Sequence, residues 1–515
     1  MTRRRAFGAG FLAGLTASLL MTATMLFLAW LFGVATPPVI FGDRISVFIP
    51  ADDFLALMGR LGGYNNMKQL GVASVMTGQI AVGTLAGIIY GFVMRRRPRN
   101  RLSVTGLIFI LLPLLAVTAF LWPVLGTHYH GLPINRATVL TVVGLFVAFV
   151  VFERALVLAF HALTQLRTRI NDQDFSPPIG RRALLVSGVA LFAAGGGAGL
   201  LRRLYELATF SYDGTQYKGR VVRPITPNDQ FYCVTKNVVD PKVNPNLWRL
   251  EVTGLVQTKQ TYRFDRLKSL PAVEQETTLM CISNGLDAGL MSNAKWKGVP
   301  MKVLLSAASP LAGVTKVRLH GVDNYTDTIP FAKTMDPTTL VAYEMNGEKL
   351  PDRHGFPARV IVPGYFGEKH VKWITRIEVA DETAVGFYEK QGWGPDFIIP
   401  TRSRFDEPDH DSTIPGAIAA NGVAVRGVAF GGSRGVSRVE VSLDDGKTWG
   451  DARLDYPGTK LTWAIWSFDW RPAEARDYIL VVRATDGEGI VQTWDEQRPF
   501  KSGVTGFHKI RVHVV

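Results

Sequence analysis

Long apolar segments dominate the chain up to about residue 203, and shorter alternating patterns follow. A helix needs about 20 apolar residues to cross a bilayer. Five segments reach this length: Phe7–Phe32, Leu70–Met94, Leu102–Leu125, Ala137–His161 and Ala183–Leu201. Glu153 and Arg154 interrupt the fourth segment, and an ion pair between them explains both more simply than an intramembrane function does. The pattern predicts an all-α transmembrane bundle of about five helices over residues 1–203.

From Phe210 onward the apolar runs become short and alternate with polar residues, between frequent Pro and Gly. Four runs are typical of strands, namely Trp248–Val256, Thr315–Val322, Ala358–Gly364 and Thr375–Ala380. Helical periodicity is limited to short pieces such as Pro300–Ala308. We therefore expect an α+β domain over residues 210–400, with long loops that suit a large polar cofactor.

After about Thr401 the pattern is almost entirely that of short strands. The run SRVEVSLDDGKTW alternates and contains Asp445-Gly446, a strong hairpin signal. Several such strands over about a hundred residues predict a β-sandwich of immunoglobulin type over residues 401–515. Nothing in this region indicates catalysis, so we interpret it as a packing or dimerisation module.

The formal net charge of +14 is informative mainly because the positions of the arginines indicate a membrane topology. They cluster beside the apolar segments, at Arg3–Arg5, Arg95–Arg101 and Arg167–Arg182. This bias indicates cytoplasmic loops and places the remainder of the chain outside the cytoplasm, although Arg202–Arg203 is an exception. No basic stretch alternates with aromatics as nucleic-acid binding would require, so we expect no nucleic-acid partner.

Arg181-Arg182 precedes a moderately apolar, Gly/Ala-rich segment. Twin arginines in this position are typical of an export signal retained as an anchor. They are equally compatible with ordinary positive-inside arginines. Both interpretations remain open from the sequence.

Only two cysteines occur in 515 residues, which excludes a disulfide framework and all-cysteine zinc or iron–sulfur sites. A single Cys233–Cys281 disulfide or one special thiolate remains possible. Cys281 ends an apolar run and is followed by Ser283, Asn284 and Gly285, so a ligand could approach it closely. A thiolate in such a loop favours a soft metal.

Two further candidates lie downstream. The run LPDRHGFPARVIVPGYFGEKHVKW contains His354, Arg359, Lys369, His370 and Lys372, which could bind a phosphate or could be scattered surface charge. Tyr343, in LVAYEMNGEKLP, could donate a proton to a substrate or could be an ordinary core tyrosine.

Taken together, the motifs from about Ile225 to the C-terminus resemble the sulfite oxidase family of molybdopterin enzymes. The resemblance rests on FYCVTKNVVDPKVNPNLWRLEVTGLV, LMCISNG, LHGVDNY, AYEMNGEKLP, HGFPARVIVPG and EKHVKWITRIEV, in the family's order. The C-terminal region is similar to the family's dimerisation domain and implies a possible homodimer.

The resemblance implies a role for each matching residue. Cys281 would ligate the molybdenum of Mo-molybdopterin, and Tyr343 and Lys236 would be the other catalytic residues. The remaining cofactor-binding residues would be Thr235, Lys236, Asn237, Asp323, His354, Arg359, His370, Val371 and Lys372. The implied chemistry is a two-electron oxygen-atom transfer.

The departures from the family pattern are equally informative. Sulfite oxidases follow the cysteine with two arginines, whereas this chain has Gly285 and Leu286 there. Lys236 replaces the arginine of the first motif, and Val238 replaces a histidine. Because these changes weaken the capture of a small dianion, a sulfoxide or N-oxide fits at least as well as sulfite.

These expectations define an enzyme and two alternatives. We expect a membrane-anchored, extracytoplasmic oxidoreductase that acts on a small molecule and exchanges electrons with a separate cytochrome or quinone-linked partner, since no cytochrome b5-like pattern is visible. The alternatives are a sulfite dehydrogenase proper and a non-catalytic, membrane-tethered binding protein with a degenerate cofactor site. A degenerate binder has no reason to keep Cys281, Asp323, His354, Arg359 and Lys372 together.

Overall fold

The computed structural model forms two compact units, residues 1–211 with 236–242, and residues 212–235 with 243–515. The structure describes residues 1–32, 34, 37–46, 48–50, 53, 57, 60–61, 64–95, 104–125, 134–171, 216–235, 237, 240–394, 397–416, 421–496 and 502–515. The predicted boundary near residue 400 falls inside the second unit, so the two regions predicted on either side of it pack as one body.

Helices make up the described part of the first unit. They are α1 (Arg3–Phe32), α2 (Pro37–Ser46), α3 (Tyr64–Met94), α4 (Val104–Leu121) and α5 (Ile134–Asn171). Within the described residues, three stretches are long and apolar enough to cross a membrane, namely Arg3–Ala29, Gln69–Met94 and Arg136–Thr164. The apolar part of α4, Leu107–Leu121, is shorter. The fifth predicted segment, Ala183–Leu201, and Arg181-Arg182 lie outside the described residues.

Small residues allow α1 and α3 to approach closely. A Cβ atom added at Gly87 would lie 2.4 Å from the Cα of Gly14, and one added at Gly10 would lie 2.5 Å from the Gly87 carbonyl oxygen. Gln79 Nε2 also donates a hydrogen bond of 2.8 Å to Thr22 Oγ1 across this contact. Close backbone packing and polar contacts of this kind are typical of helix pairs in membranes.

The intramembrane carboxylate singled out in the sequence has the expected partner. Glu153 is buried on α5, and its carboxylate accepts a hydrogen bond from the Nε atom of Arg154. The structure thus confirms that the two interrupting charges of this apolar segment pair with each other.

The first part of the second unit contains two sheets and short helices. Its strands are β1 (Arg249–Gly254), β2 (Gln260–Arg263), β3 (Val273–Met280), β4 (Met291–Pro300), β5 (Lys316–Gly321), β6 (Thr326–Pro330), β7 (Leu340–Met345), β8 (Glu348–Lys349), β9 (Arg359–Ile361) and β10 (Ile374–Ala380). Its helices are α6 (Phe264–Lys268), α7 (Met301–Ala308) and α8 (Phe331–Thr334). One sheet has the order β2–β1–β10–β5–β6, and the other has the order β3–β4–β7–β8 with β9 paired to β7.

These elements follow from the alternation seen in the sequence. Strand β5 buries every second residue, including Val317 and Leu319, and α7 buries Met301, Leu304, Leu305 and Ala308 on one face. The four predicted strands correspond to β1, β5, β9 and β10, and the predicted helix corresponds to α7. The α+β prediction is thereby confirmed for this region.

Two further sheets enclose one core in the remainder of the chain. The first has the order β11 (Arg402–Glu407), β13 (Val423–Phe430), β17 (Ala464–Trp470) and β16 (Arg453–Tyr456). The second has the order β12 (Ser412–Ile414), β19 (His508–Val514), β18 (Asp477–Asp486), β14 (Val436–Ser442) and β15 (Gly450–Asp451). Val425 and Trp466 from one sheet pack in the same core as Leu480 and Ile510 from the other.

This arrangement is a β-sandwich, as predicted, and its immunoglobulin type stays a prediction. The predicted hairpin signal is also used as expected. Asp445 and Gly446 both have positive φ angles, 58° and 87°, between β14 and β15. Positive φ at two successive residues is what Asn-Gly and Asp-Gly pairs allow at a tight turn.

Candidate functional site

Cys281 lies directly after β3, at the point where the chain leaves the sheet. The Cys281 N–H donates to the Leu290 carbonyl (3.0 Å), and the Cys281 carbonyl accepts from the Asn284 N–H (3.1 Å). These bonds fix a tight turn at the strand end. Cys281 is a free thiol, so the structure contains no Cys233–Cys281 disulfide. Of the two possibilities left open by the sequence, the disulfide is therefore not the one found in the structure.

The Cys281 side chain is buried, and its Sγ atom lies within hydrogen-bond distance of the Ser283 hydroxyl. Burial raises the pKa of the thiol to about 11, and this effect outweighs the Ser283 hydroxyl, whose Oγ atom lies 3.0 Å from Sγ and lowers it. A metal ligand must lose this proton when it binds. The thiol is therefore suited to a metal that displaces the proton rather than to a free thiolate nucleophile.

Two buried arginines from β11 hold the loop that follows Cys281. Arg402 donates to the carbonyl oxygens of Asn284 (3.0 Å) and Gly285 (2.6 Å), and Arg404 donates to that of Ala288 (2.9 Å). Burial lowers the pKa of Arg402 to about 10, with a further contribution from Arg404. The sequence analysis missed both residues. The available signal was the pair of arginines at alternate positions in the run TRSRF.

Arg359, at the start of β9, is a buried cation with an unused donor. Its terminal nitrogens donate to the carbonyl oxygens of His354 (3.1 Å) and His370 (3.2 Å), and its Nε atom is buried with no partner. Its guanidinium lies 5.1 Å from the ring centre of Trp296. Burial lowers its pKa to about 10. Arg359 thus remains charged at neutral pH in a place that suits an anion.

The two predicted histidines are neutral rather than cationic. Burial lowers the pKa of His354 well below its ordinary value and lowers that of His370 to about 3. His370 accepts from the Val362 N–H at Nδ1 (3.1 Å) and donates from Nε2 to the Tyr365 carbonyl (3.1 Å). Since both ring nitrogens are used, the His370 ring cannot also bind a phosphate. The His370 carbonyl accepts from Arg359 and so helps to orient it, and the role of His370 in cofactor binding stays a prediction.

Lys372 and Lys369 lie close in sequence but have different surroundings. Lys372 Nζ donates to the Arg353 carbonyl (3.1 Å) and lies 3.8 Å from Cys233 Sγ. Lys369 forms two buried ion pairs of 2.7 Å, with Asp327 and with Glu389. Of these two lysines, only Lys372 therefore lacks a carboxylate partner among the described residues.

The remaining predicted residues are buried or lie outside the described residues. Thr235, Asn237, Asp323 and Val371 are all buried. Asp323 accepts from the Tyr325 N–H (3.2 Å), and Val371 accepts from the Val360 N–H (2.9 Å) through its backbone. Asn237 belongs to the first unit. Lys236 and Val238 lie outside the described residues.

Tyr343 occupies the core instead of the Cys281 site. Side chains alternate along a strand, and Tyr343 shares its face of β7 with Val341 in one core cluster. Ala342, on the opposite face, packs in the cluster that contains Cys281. Burial raises the pKa of Tyr343, and its charged neighbours are Lys297 and Glu344. The structure does not bring Tyr343 to Cys281, and its catalytic role is not supported.

Other aromatic and acidic residues surround Cys281 instead. Burial raises the pKa of Tyr232 and of Tyr388, and the nearby Cys281 raises both further. The ring of Trp393 lies 4.8 Å from that of Tyr388, and its indole nitrogen is buried without a partner. Glu368 raises the pKa of Cys281 and of both tyrosines. The aromatic run GFYEKQGW was the signal that could have pointed to this group.

Comparisons with known proteins agree with this geometry. Residues 237–388 match the sequence family described as oxidoreductase molybdopterin binding domain, and residues 397–515 match the Mo-co oxidoreductase dimerisation domain. Mitochondrial sulfite oxidase of Rattus norvegicus is 32% identical over an alignment of 344 residues that covers 56% of this chain and 62% of the relative. Sulfite oxidase of Gallus gallus is 33% identical over an alignment of 319 residues that covers 52% of this chain and 68% of the relative.

A solved structure supports the fold. The sulfane dehydrogenase SoxCD from Paracoccus pantotrophus superposes with a TM-score of 0.50 at 24% identity, over 57% of this chain and 82% of that chain. At this identity the likeness concerns the fold alone.

The residues in this chain fit a molybdopterin cofactor. Cys281 offers one soft ligand, and among the described residues no group of three or more His, Cys, Asp or Glu could hold a metal ion by itself. The metal would therefore need the pterin for further ligands. The Arg359 Nε atom lacks an acceptor, and neither Arg359 nor Lys372 has a carboxylate partner among the described residues. A pterin phosphate would supply both the acceptor and the opposite charge.

The order of the motifs, the placement of Cys281 and Arg359 and the match to the chicken enzyme lead to one conclusion: the chain belongs to the sulfite oxidase family of molybdenum cofactor-dependent oxidoreductases, whose cofactor is Mo-molybdopterin.

Proposed function

We propose that this protein is a membrane-anchored molybdopterin oxidoreductase that catalyses a two-electron oxygen-atom transfer on a small substrate outside the cytoplasm. The observation that carries the proposal is the buried Cys281 thiol at the end of β3, in the same unit as the uncompensated cation Arg359. The family supports the type of chemistry. The substrate and the partners belong to the proposal, since the chain spans 62% of the length of its rat relative.

The chain's own residues have three tasks in this proposal. When bound, Mo-molybdopterin supplies a centre that exchanges two electrons and an oxygen atom. Cys281 holds the metal through its thiolate, and Arg359 and Lys372 bind the anionic end of the pterin. Arg402 and Arg404 keep the loop after Cys281 in place through its carbonyl oxygens. Tyr232, Tyr388 and Trp393 limit the access of water to the metal side.

The loop after Cys281 favours an uncharged substrate. Gly285 and Leu286 bring no guanidinium to the site, and the carbonyl of Gly285 takes up a donor of Arg402. A small dianion would thus lack the bidentate partner that makes its capture strong. A sulfoxide or N-oxide fits this site, with the balance R₂SO + 2H⁺ + 2e⁻ → R₂S + H₂O. A sulfite-like substrate is the second candidate, because the curated relatives are named sulfite oxidases.

The partners follow from the chain's organisation. The three long apolar helices among the described residues support a bilayer anchor. The arginine clusters in the sequence support a location of the second unit outside the cytoplasm. Electrons would come from a separate cytochrome or quinone-linked protein. Residues 397–515, which match a dimerisation domain, would join two copies of the chain.

Metal analysis and a substrate screen test the proposal. Protein purified from cells that make the cofactor should contain about one molybdenum atom per chain, and it should reduce sulfoxides or N-oxides with a dye donor or oxidise sulfite with a dye acceptor. Cys281→Ser should abolish turnover while the protein remains folded, and Cys233→Ser serves as the matched control. Absence of molybdenum from cofactor-replete cells would leave only the binding-protein alternative.

A further inference from the structure

Glu368 carries a buried carboxyl group that no residue satisfies. Part of the residue remains accessible, but both carboxyl oxygens are inaccessible to solvent and have no hydrogen-bond partner among the described residues. An unsatisfied buried polar group costs about 1–3 kcal/mol. Such groups are rare in native structures and call for an explanation. A ligand that is not a residue of this chain is the simplest explanation.

The turn that carries Glu368 is held in place from both sides. The Glu368 carbonyl accepts from the Tyr325 hydroxyl (3.1 Å). Lys369, the next residue, is fixed by its ion pairs to Asp327 and Glu389. The backbone that carries the Glu368 side chain is therefore fixed by buried ion pairs, which are costly to break.

The carboxyl lies on the Cys281 side of the unit. A Cβ atom added at the preceding Gly367 would lie 2.7 Å from the Tyr232 hydroxyl and 3.6 Å from the Cys281 Cα. Glu368 also shifts the pKa of Cys281, of Tyr232 and of Tyr388, which only a nearby charge can do. These three residues define the surroundings in which a substrate at Cys281 would sit.

The Glu368 carboxyl also has different charged neighbours from Arg359, the proposed binding residue for the pterin phosphate. The charged groups that act on Glu368 are Asp327 and Lys369, whereas Arg359 is influenced by Tyr232 and Cys233. Burial, followed by the nearby Asp327, raises the pKa of Glu368 to about 8. Near neutral pH the group is mostly a neutral acid that can donate a hydrogen bond.

We propose that Glu368 is the specificity-determining residue of the Cys281 site, where its carboxyl donates a hydrogen bond to the oxygen of an uncharged oxide such as a sulfoxide and disfavours small anions such as sulfite. This inference rests on the proposed oxygen-atom transfer at Cys281. The closest alternative is that the carboxyl contacts the cofactor itself, and cofactor content distinguishes the two.

Two substitutions in the molybdenum-loaded, full-length protein separate hydrogen bonding from bulk. Glu368→Leu fills a similar volume without a donor, whereas Glu368→Gln keeps a donor and loses the ionisable group. Calorimetry on the oxidised protein measures the binding of dimethyl sulfoxide without turnover, and KM and kcat are measured for dimethyl sulfoxide and for sulfite. Glu344→Leu is the control, because Glu344 pairs with Lys297 away from this site.

The expected result is a specific pattern. Glu368→Leu should weaken dimethyl sulfoxide binding and raise its KM about tenfold, and Glu368→Gln should restore both. Above about pH 8, where the Glu368 carboxyl is ionised and repels anions, sulfite should bind more tightly to both variants than to the parent protein. Molybdenum content and the Glu344→Leu control should match the parent protein.

Three results would overturn the inference. Unchanged dimethyl sulfoxide binding in Glu368→Leu would remove its basis, and loss of molybdenum from either variant would make Glu368 a cofactor residue. A parent protein that holds molybdenum and turns over sulfite but binds no dimethyl sulfoxide would refute the inference while leaving the proposed oxygen-atom transfer intact.

Discussion

At the scale of single residues, the site contains cations that have no carboxylate partner among the described residues. Arg359 uses two of its nitrogens to bind backbone carbonyls and keeps Nε unpartnered. His354 and His370, which look cationic in the sequence, are neutral because burial lowers their pKa values. The positive charge available to a cofactor therefore comes from Arg359 and Lys372 rather than from the whole basic run.

Replacement of Arg359 should reduce cofactor retention. Arg359→Met removes charge-assisted hydrogen bonds worth about 1.5–3 kcal/mol each, so the cofactor should be retained about 10–100-fold less tightly. Arg359→Lys keeps the charge but loses the planar guanidinium with its paired donors. Its cofactor retention should therefore lie between those of Arg359→Met and the parent protein. Pterin fluorescence and molybdenum content after dialysis measure the effect. Arg318→Met, in a strand of the other sheet, provides the comparison, and equal retention in all variants would contradict the assignment.

At the scale of elements, a buried ion-pair cluster joins three segments around the site. Lys369 follows the turn that carries Glu368, Asp327 belongs to β6, and Glu389 follows Tyr388. Glu389 also accepts a hydrogen bond from the Thr328 hydroxyl (2.5 Å). The cluster thus fixes the backbone next to Glu368 and next to Tyr388 relative to β6.

Removing the central cation of this cluster should be strongly destabilising. Lys369→Met leaves Asp327 and Glu389 without their cation, which should cost about 3–5 kcal/mol of unfolding free energy. Lys369→Arg should cost less, and the combined Lys369→Met, Asp327→Asn and Glu389→Gln variant should recover part of the loss. Urea unfolding followed by tryptophan fluorescence measures these values. Lys295→Met, which breaks an exposed pair with Glu274, should cost less than about 1 kcal/mol; an equal loss would refute the cluster's role.

At the scale of the whole molecule, several buried histidines make stability depend on pH. Burial lowers the pKa of His508 to about 4, below the ordinary value of about 6.5. Between these two values the unfolded chain binds more protons than the folded one, so the unfolding free energy falls as the pH falls. His370 acts in the same direction.

The full-length protein should therefore lose stability on acidification below about pH 6.5, by up to about 1.4 kcal/mol per pH unit for each such histidine. His508→Gln can preserve an acceptor for the Phe405 N–H and should make the decline less steep. Denaturant unfolding at several pH values tests this, with the exposed His410→Gln as the control. A slope unaffected by His508→Gln would show that other groups cause the pH dependence.

The sequence alone was sufficient for every feature that depends on local pattern. Hydrophobic length predicts the helices α1, α3, α4 and α5, alternation predicts β1, β5 and β10, and Asp445-Gly446 predicts the hairpin, because each follows from the geometry of a few adjacent residues. The order of the motifs was likewise sufficient to identify the family and the cysteine at the end of β3.

Only the tertiary structure decided which side chains face that cysteine. Tyr343 points into the opposite core because side chains alternate along β7. Glu368, Tyr232 and Tyr388 come from distant segments and lie close enough to Cys281 to interact with it electrostatically. Arg402 reaches the Cys281 loop from a strand more than a hundred positions away in the chain. Protonation states depend on burial, which no local pattern contains, and so the neutral histidines and the unsatisfied Glu368 carboxyl emerge only once the chain is folded.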